Sequence, residues 1–423
     1  MRFRDFRNIV CASAAAASLA FAAPGAAVEG IGGKPVNVKS SLDFAKLTAA
    51  NFYDTLVPLA KQEGTVTFFD FSNSFEKLFR EELIPGFERK YGIKVNYQRG
   101  NAEAAAQQLV ATSAADQPAP FDLLYNASSS LGVLMRGSAV ANVPFHTLLP
   151  NAAAYDERIA TTAEGIVHGG LFAPFHRNQT ALAVNSRFVR PGTEPGDFPA
   201  LLAWAKANPK RLAVTNPGKG GSGDGFLQSL VLAMVTGDDC RKALENFTIG
   251  AEEAKAYVAS PCMAPVWNYY RDLLAVSEIT NSNADTLNLI TNAEAWIGTA
   301  WEDMTYDFTG RGLLPPTVRP MLLREGQVGG GDGFFLPVRP RNPAAALLLM
   351  DFLMSKEVQL TKLRMNGSRA ARTDIDTDKE FSEAQAKRLI PADQYPSRAR
   401  TGIPRAITLA AAAYFQENLL RGR

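Results

Sequence analysis

Apolar residues in this chain fall into short unbroken runs that alternate with longer stretches of helical spacing. "GTVTFFDF" (64–71) reads as a buried strand. "SFEKLFREELIPGFERKYG" (74–92) reads as an amphipathic helix with Phe75, Leu78, Phe79 and Leu83 on one face. "IKVNYQRG" (93–100) and "FDLLYNAS" (121–128) predict two more strands around a helix at 102–115, and a further helix begins near Ser129. Later come a helix at 197–209, the strand "KRLAVTNP", and the helix "GFLQSLVLAMVTG" ending at Gly237. "PVWNYYRDLLAV" (265–276) predicts another helix, and "EAWIGTAWEDMTYDFTG" (294–310) a strand entering a helix. Two long extended segments, 170–189 and 316–338, interrupt the alternation, and a helical run extends from Pro343 to Gly367.

Repeated strand–helix units imply a parallel sheet flanked by helices, with ligands at the carboxyl ends of its strands. Those ends carry "FDFSNS" and "YNASSS", which makes Phe71, Ser72, Asn73, Tyr125, Asn126 and Ser128 candidate ligand contacts. A mature chain of roughly 395 residues exceeds what one core holds, so two α/β lobes are expected. Residues 28–175 with 335–423 form the first and 176–334 the second, with crossings near 170–189 and 326–338.

The amino terminus sets the compartment. Arg2, Arg4 and Arg7 precede the uncharged run "IVCASAAAASLAFAA" and the small residues "PGAA", the three-part pattern of a secretory signal peptide over residues 1–27. The run is too short for a spanning helix, and a periplasmic protein is expected. Cleavage takes 3 of the 44 basic and 1 of the 42 acidic residues, leaving 41 of each. That balance gives no basis for nucleic-acid binding. It also leaves Cys240 and Cys262, which in an exported chain most simply form one disulfide.

"TNPGKGGSGDGFLQ" contains Gly218, Gly220 and Gly223, a literal G-x-G-x-x-G. It sits mid-chain rather than after the first strand, and no acidic strand end answers it, so the dinucleotide motif is a coincidence and no cofactor is expected. A plain turn is one alternative. The other is a ligand loop of Gly220, Gly221, Ser222 and Gly223 at a helix amino terminus, with Asp224 as its cap. "AWEDMTYD" places Trp301 and Glu302 at a strand end, where an aromatic face and a carboxylate suit an organic cation, with Asp303 as a helix cap. His146, His168 and His176 have no metal-ligand spacing, so no metal is expected. Of the adjacent Tyr269 and Tyr270, at least one belongs to a core.

The order of parts, with "ALLAWAKANPKRLAVTNP", "GFLQSLVLAM", "MAPVWNYYRDLL" and above all "DFLMSKEVQLTKLRMNGSRAAR" (351–372), resembles family 1 of the bacterial extracellular solute-binding proteins. These serve ABC importers, and the likeness runs toward the thiamine- and polyamine-type group. The resemblance implies a type II two-lobe fold whose interlobe cleft closes on a small polar or cationic solute, no enzyme activity, a monomer, and membrane permease subunits as partners. The alternative on the same fold is a secreted thiaminase-like transferase or hydrolase with a cysteine nucleophile.

Overall fold

Phe68 and Phe69, adjacent residues on opposite faces of the first strand, are both buried, as a strand packed on both faces requires. The computed structural model describes residues 42–72, 74–163, 166–369 and 372–421; the proposed leader and Asn73 lie outside them. The first units are α1 (Phe52–Glu63), β1 (Thr65–Asp70), β2 (Lys94–Arg99), α2 (Ala102–Ala114) and β3 (Leu123–Ala127), followed by the long strand β4 (Ala173–Asn185). A second set follows with α3 (Phe198–Ala207), β5 (Leu212–Thr215), α4 (Gly221–Met234), α5 (Ala264–Val276), β6 (Glu278–Thr280) and α6 (Asn283–Thr291). Then come β7 (Ile297–Trp301), α7 (Glu302–Gly310) and β8 (Val318–Met321). The chain ends with β9 (Gln327–Phe335), α8 (Pro343–Leu353), α9 (Lys356–Asn366), β10 (Ala399–Arg400) and α10 (Arg405–Phe415).

The strands form one sheet in the order β2-β1-β3-β9-β4-β7-β5-β6, with β8 on β4 and β10 on β9. Pairing is parallel in β2-β1-β3 and in β7-β5-β6, and antiparallel where β9 and β4 join the two groups. Those two strands are the predicted extended segments. One core gathers Phe68, Tyr125, Phe175 and Phe334 with the wholly buried helix α8. Another gathers Leu182, Val214, Phe226, Tyr270 and Ile297. Thus β4 begins in one core and ends in the other. Tyr269 and Tyr270 both belong to the second, Tyr269 donating to the Phe198 carbonyl at 2.8 Å.

Three expectations need amendment. The helix expected at 74–92 contains a π turn at Phe79–Leu83. Pro85 follows it, and without an N–H it cannot continue the regular ladder. The run after Pro343 splits into two helices because the Ser355 side chain caps α9, accepting from the Val358 N–H. Residues 335–423 do not share a single core: Ile407, Ala411 and Phe415 of α10 recur every fourth residue and pack into the second.

Cys240 and Cys262 form a disulfide that closes a loop over a sequence separation of 22 beside the second core. Replacing both by serine should lower unfolding stability by about 3 kcal/mol, the entropy cost of a loop this size. Urea melts check this, and an unchanged midpoint would show that the bridge adds nothing.

Candidate functional site

The site begins with a steric requirement. At Gly331, φ is +155° and a Cβ would overlap the His176 carbonyl of β4, so only glycine lets β9 lie this close. Around the neighbouring glycines two cavities meet, sharing Gly329, Gly330 and Gly402. The larger, about 160 Å³, is lined by Gly221, Asp224, Gln228, Trp301, Arg405 and Thr408 among others. The smaller, about 40 Å³, is lined by Ser128, Thr162, Phe172, His176, Arg177 and Thr401 among others.

The glycine loop divides. Gly221 faces the larger cavity beneath Trp301, whose ring a Cβ on Gly221 would meet at 2.7 Å. The other three residues expected to touch ligand face inward. Ser222 is fully buried, with its Oγ 2.9 Å from Thr215 Oγ1 and donating to Asn283 Oδ1 at 2.7 Å. A Cβ on Gly223 would overlap the Thr215 carbonyl, and one on Gly220 would meet Thr215 and Asn283 at 2.7 and 2.8 Å. These three residues seat α4 against β5 and α6. Gly220, not Asp224, is the N-cap; Asp224 accepts from the Gly218 N–H at 2.7 Å and lines the larger cavity.

At the end of β7 the helix cap is Trp301 rather than Asp303, and Glu302, expected to face a ligand, points inward. Glu302 is buried, accepts from Arg369 Nε at 2.7 Å and takes the Ile390 N–H at 2.7 Å, so its charge is already matched. Asp303 is the open one. Its Oδ2 lies 3.7 Å from His176 Nε2, its side chain is 22% exposed, and its Oδ1 has no hydrogen-bond partner. Burial, with Glu302 and Asp307 adding to it, pushes its carboxyl up to about 7. Burial and the nearby Lys362 hold His176 well below its ordinary range, so this contact is no ion pair. Ser368 Oγ lies 2.5 Å from His176 Nδ1. Ser368 is fully buried, and the Ser-His-Asp sequence of contacts presents no accessible nucleophile.

The strand ends of the first core are partly engaged. Tyr125 is buried beside Phe71 and Phe75, at ring separations of 5.4 and 6.1 Å. Its hydroxyl and the Ser72 Oγ are buried without partners. Burial raises the Tyr125 phenol well above its usual value, and Asp332, Asp70 and Asp303 reinforce the shift. Asn126 instead ties β3 to α2, donating to the Ala102 carbonyl at 2.9 Å.

Residues not anticipated from the pattern also line the cavities: His176 and Arg177, the β9 glycines, and Thr401, Gly402, Arg405 and Thr408 near the carboxyl terminus. One readable signal was the polar run His176–Thr180 within an apolar strand. Another was "GGGDG", too glycine-rich for an ordinary strand. The carboxyl-terminal set carries no motif. Among the described residues no cluster of histidine, cysteine and carboxylate side chains suits a metal ion, and no helix is long and apolar enough to cross a membrane.

A family model described as bacterial extracellular solute-binding protein matches residues 82–388. The fold is shared with a protein of Bordetella parapertussis described as an extracellular solute-binding protein. That pair has 16% identity and a TM-score of 0.66, covering 86% of this chain and 100% of the other. An ABC transporter structure from Clostridium perfringens aligns at 15% identity and a TM-score of 0.61, covering 84% and 99%. A spermidine/putrescine ABC transporter substrate-binding protein of Streptococcus pneumoniae aligns at 11% and 0.55, covering 77% and 92%. No curated protein is significantly similar in sequence.

Asp303 makes the empty protein pH-sensitive. Its folded carboxyl binds a proton more tightly than the unfolded one, whose ordinary value is 3.8, so its contribution is complete below pH 4 and lost as pH rises through about 7. Asp303→Asn should therefore match the wild type at pH 4 or below and exceed it at pH 8 by on the order of 1–3 kcal/mol. Thermal melts across that range test the sign. A mutant less stable at pH 8 refutes it.

Proposed function

This chain belongs to the bacterial extracellular solute-binding proteins of ABC transporters, and on that premise we infer that it captures a small polar organic solute bearing a protonated nitrogen. The solute sits in the space over β4 and β9, between the two cores. Asp303 carries this reading: a carboxylate with a buried, unpartnered oxygen, two residues from the cavity-lining Trp301 and beside His176. A protonated amine supplies the missing donor and shifts Asp303 toward its charged form. Trp301 adds an aromatic face, worth about 0.5–2 kcal/mol against a cation. The likeness to a spermidine/putrescine-binding protein is compatible with such a cargo.

The fold supports a transport cycle of the hinge-closing kind. The chain passes from one core to the other along β4 and returns along β9, so bending at these strands opens or closes the space above them. A solute that touches both walls stabilises the closed form by its differential affinity for the two states, and the permease reads that form. The leader at residues 1–27 delivers the chain to the periplasm. The rival enzyme reading relied on a cysteine nucleophile, and Cys240 and Cys262 are here joined to each other.

A thermal-shift screen of putrescine, spermidine, thiamine, thiamine phosphate, amino acids and simple anions tests the reading. A ligand at 100-fold its Kd adds about 2.7 kcal/mol. Stabilisation by anions alone, with none by any amine, would refute the assignment of Asp303. Gly330 lines both cavities, is exposed, and a Cβ there meets nothing within 4 Å. Gly330→Leu should thus leave the melting point of the empty protein unchanged and weaken ligand binding at least tenfold. A mutant with unimpaired affinity places the solute elsewhere.

A further inference from the structure

Arg177 is the charge that the fold leaves unanswered. It lies on β4, is 6% exposed, and lines the smaller cavity together with Ser128 and Thr401. Among the described residues no carboxylate comes within 4.0 Å of its guanidinium. Glu302, the acid that neutralises the neighbouring Arg369, is fully engaged. Arg177 Nη2 donates to the Arg400 carbonyl at 3.3 Å, while its Nε is buried without a partner. A guanidinium keeps its charge, and a buried charge without a counter-ion is costly. The approach to it is kept clear: a Cβ on Gly329 would stand 3.2 Å from Nη2.

We propose that Arg177 holds an oxyanion of the solute, a carboxylate or a phosphonate, and that the cargo is an amino-acid-like zwitterion rather than a polyamine. The assignment of the nitrogen end rests on the reading of Asp303 above; the anion end rests on Arg177 alone. Charge-assisted pairing with a planar guanidinium is the strongest polar contact that this cavity can supply.

The test is isothermal titration with 4-aminobutyrate, 3-aminopropylphosphonate, n-butylamine, putrescine and butyrate, on the wild type and on Arg177→Gln. The two zwitterions should bind wild type at least 30-fold more tightly than n-butylamine, and the stronger of them identifies the oxyanion. Arg177→Gln should erase that advantage, leave n-butylamine within twofold, and melt no lower than wild type when empty. Zwitterions that bind wild type no better than n-butylamine overturn the proposal without any variant, as does binding of none of the five. A variant that loses all probes equally and melts lower makes Arg177 structural and also overturns it. Butyrate binding as tightly as 4-aminobutyrate retains the anion site and removes the amine from Asp303.

Discussion

Everything in this molecule depends on how closely β9 can lie against β4. The two strands are antiparallel neighbours at the centre of one sheet; β4 contributes to both cores, and β9 contributes Phe334 to the first. Side chains on β9 would collide with the β4 backbone at Gly331 and Gly333, so the strand is built of glycine where the two approach most closely. The same substitution that permits the pairing removes the side chains that would otherwise fill the space above it. A sheet continuous across two cores and a space open enough to admit a solute have a single steric origin.

The electrostatics sort the buried polar residues around these strand ends into two kinds. Glu302 with Arg369, and Ser222 with Asn283, are matched inside the protein and hold elements in place. Arg177 Nε, Asp303 Oδ1, Tyr125 Oη and Ser72 Oγ are buried and lack protein partners. Each such group forfeits hydration on folding. The matched groups hold elements together, and the unmatched ones are left with unspent hydrogen-bonding capacity.

The sequence made the fold legible because its strands and helices each obey one period, and the runs around Val66, Val95, Leu124 and Val214 correspond to strands within a residue or two of where they were expected. The two extended segments were also visible. The site was legible only in part. Trp301 and Ser128, named from strand ends, and Gly221, named from the glycine loop, line the cavities. Glu302 and Asp303 could not be told apart, because which neighbour points inward is settled by Arg369, 66 positions away in the chain from Asp303. Arg177 was hidden for a related reason: an arginine inside a long strand looks ordinary until the nearby carboxylates are found to be committed elsewhere. The lining from the carboxyl-terminal segment depends on α10 folding back to the second core, which no local pattern announces.

That last segment has a consequence for how the protein is made. Thr401 and Gly402 close the smaller cavity, Gly402, Arg405 and Thr408 the larger, and α10 completes the apolar packing around Tyr270 and Phe415. A polypeptide emerging amino terminus first therefore has no finished receptor until residues 401–408 have been delivered. Capture of cargo is deferred until that segment folds back, on whichever side of the membrane it finds its place. A fragment clipped ahead of it by a protease retains most of its hydrophobic interior yet loses a wall from each compartment, so proteolytic trimming at this end uncouples being folded from being competent.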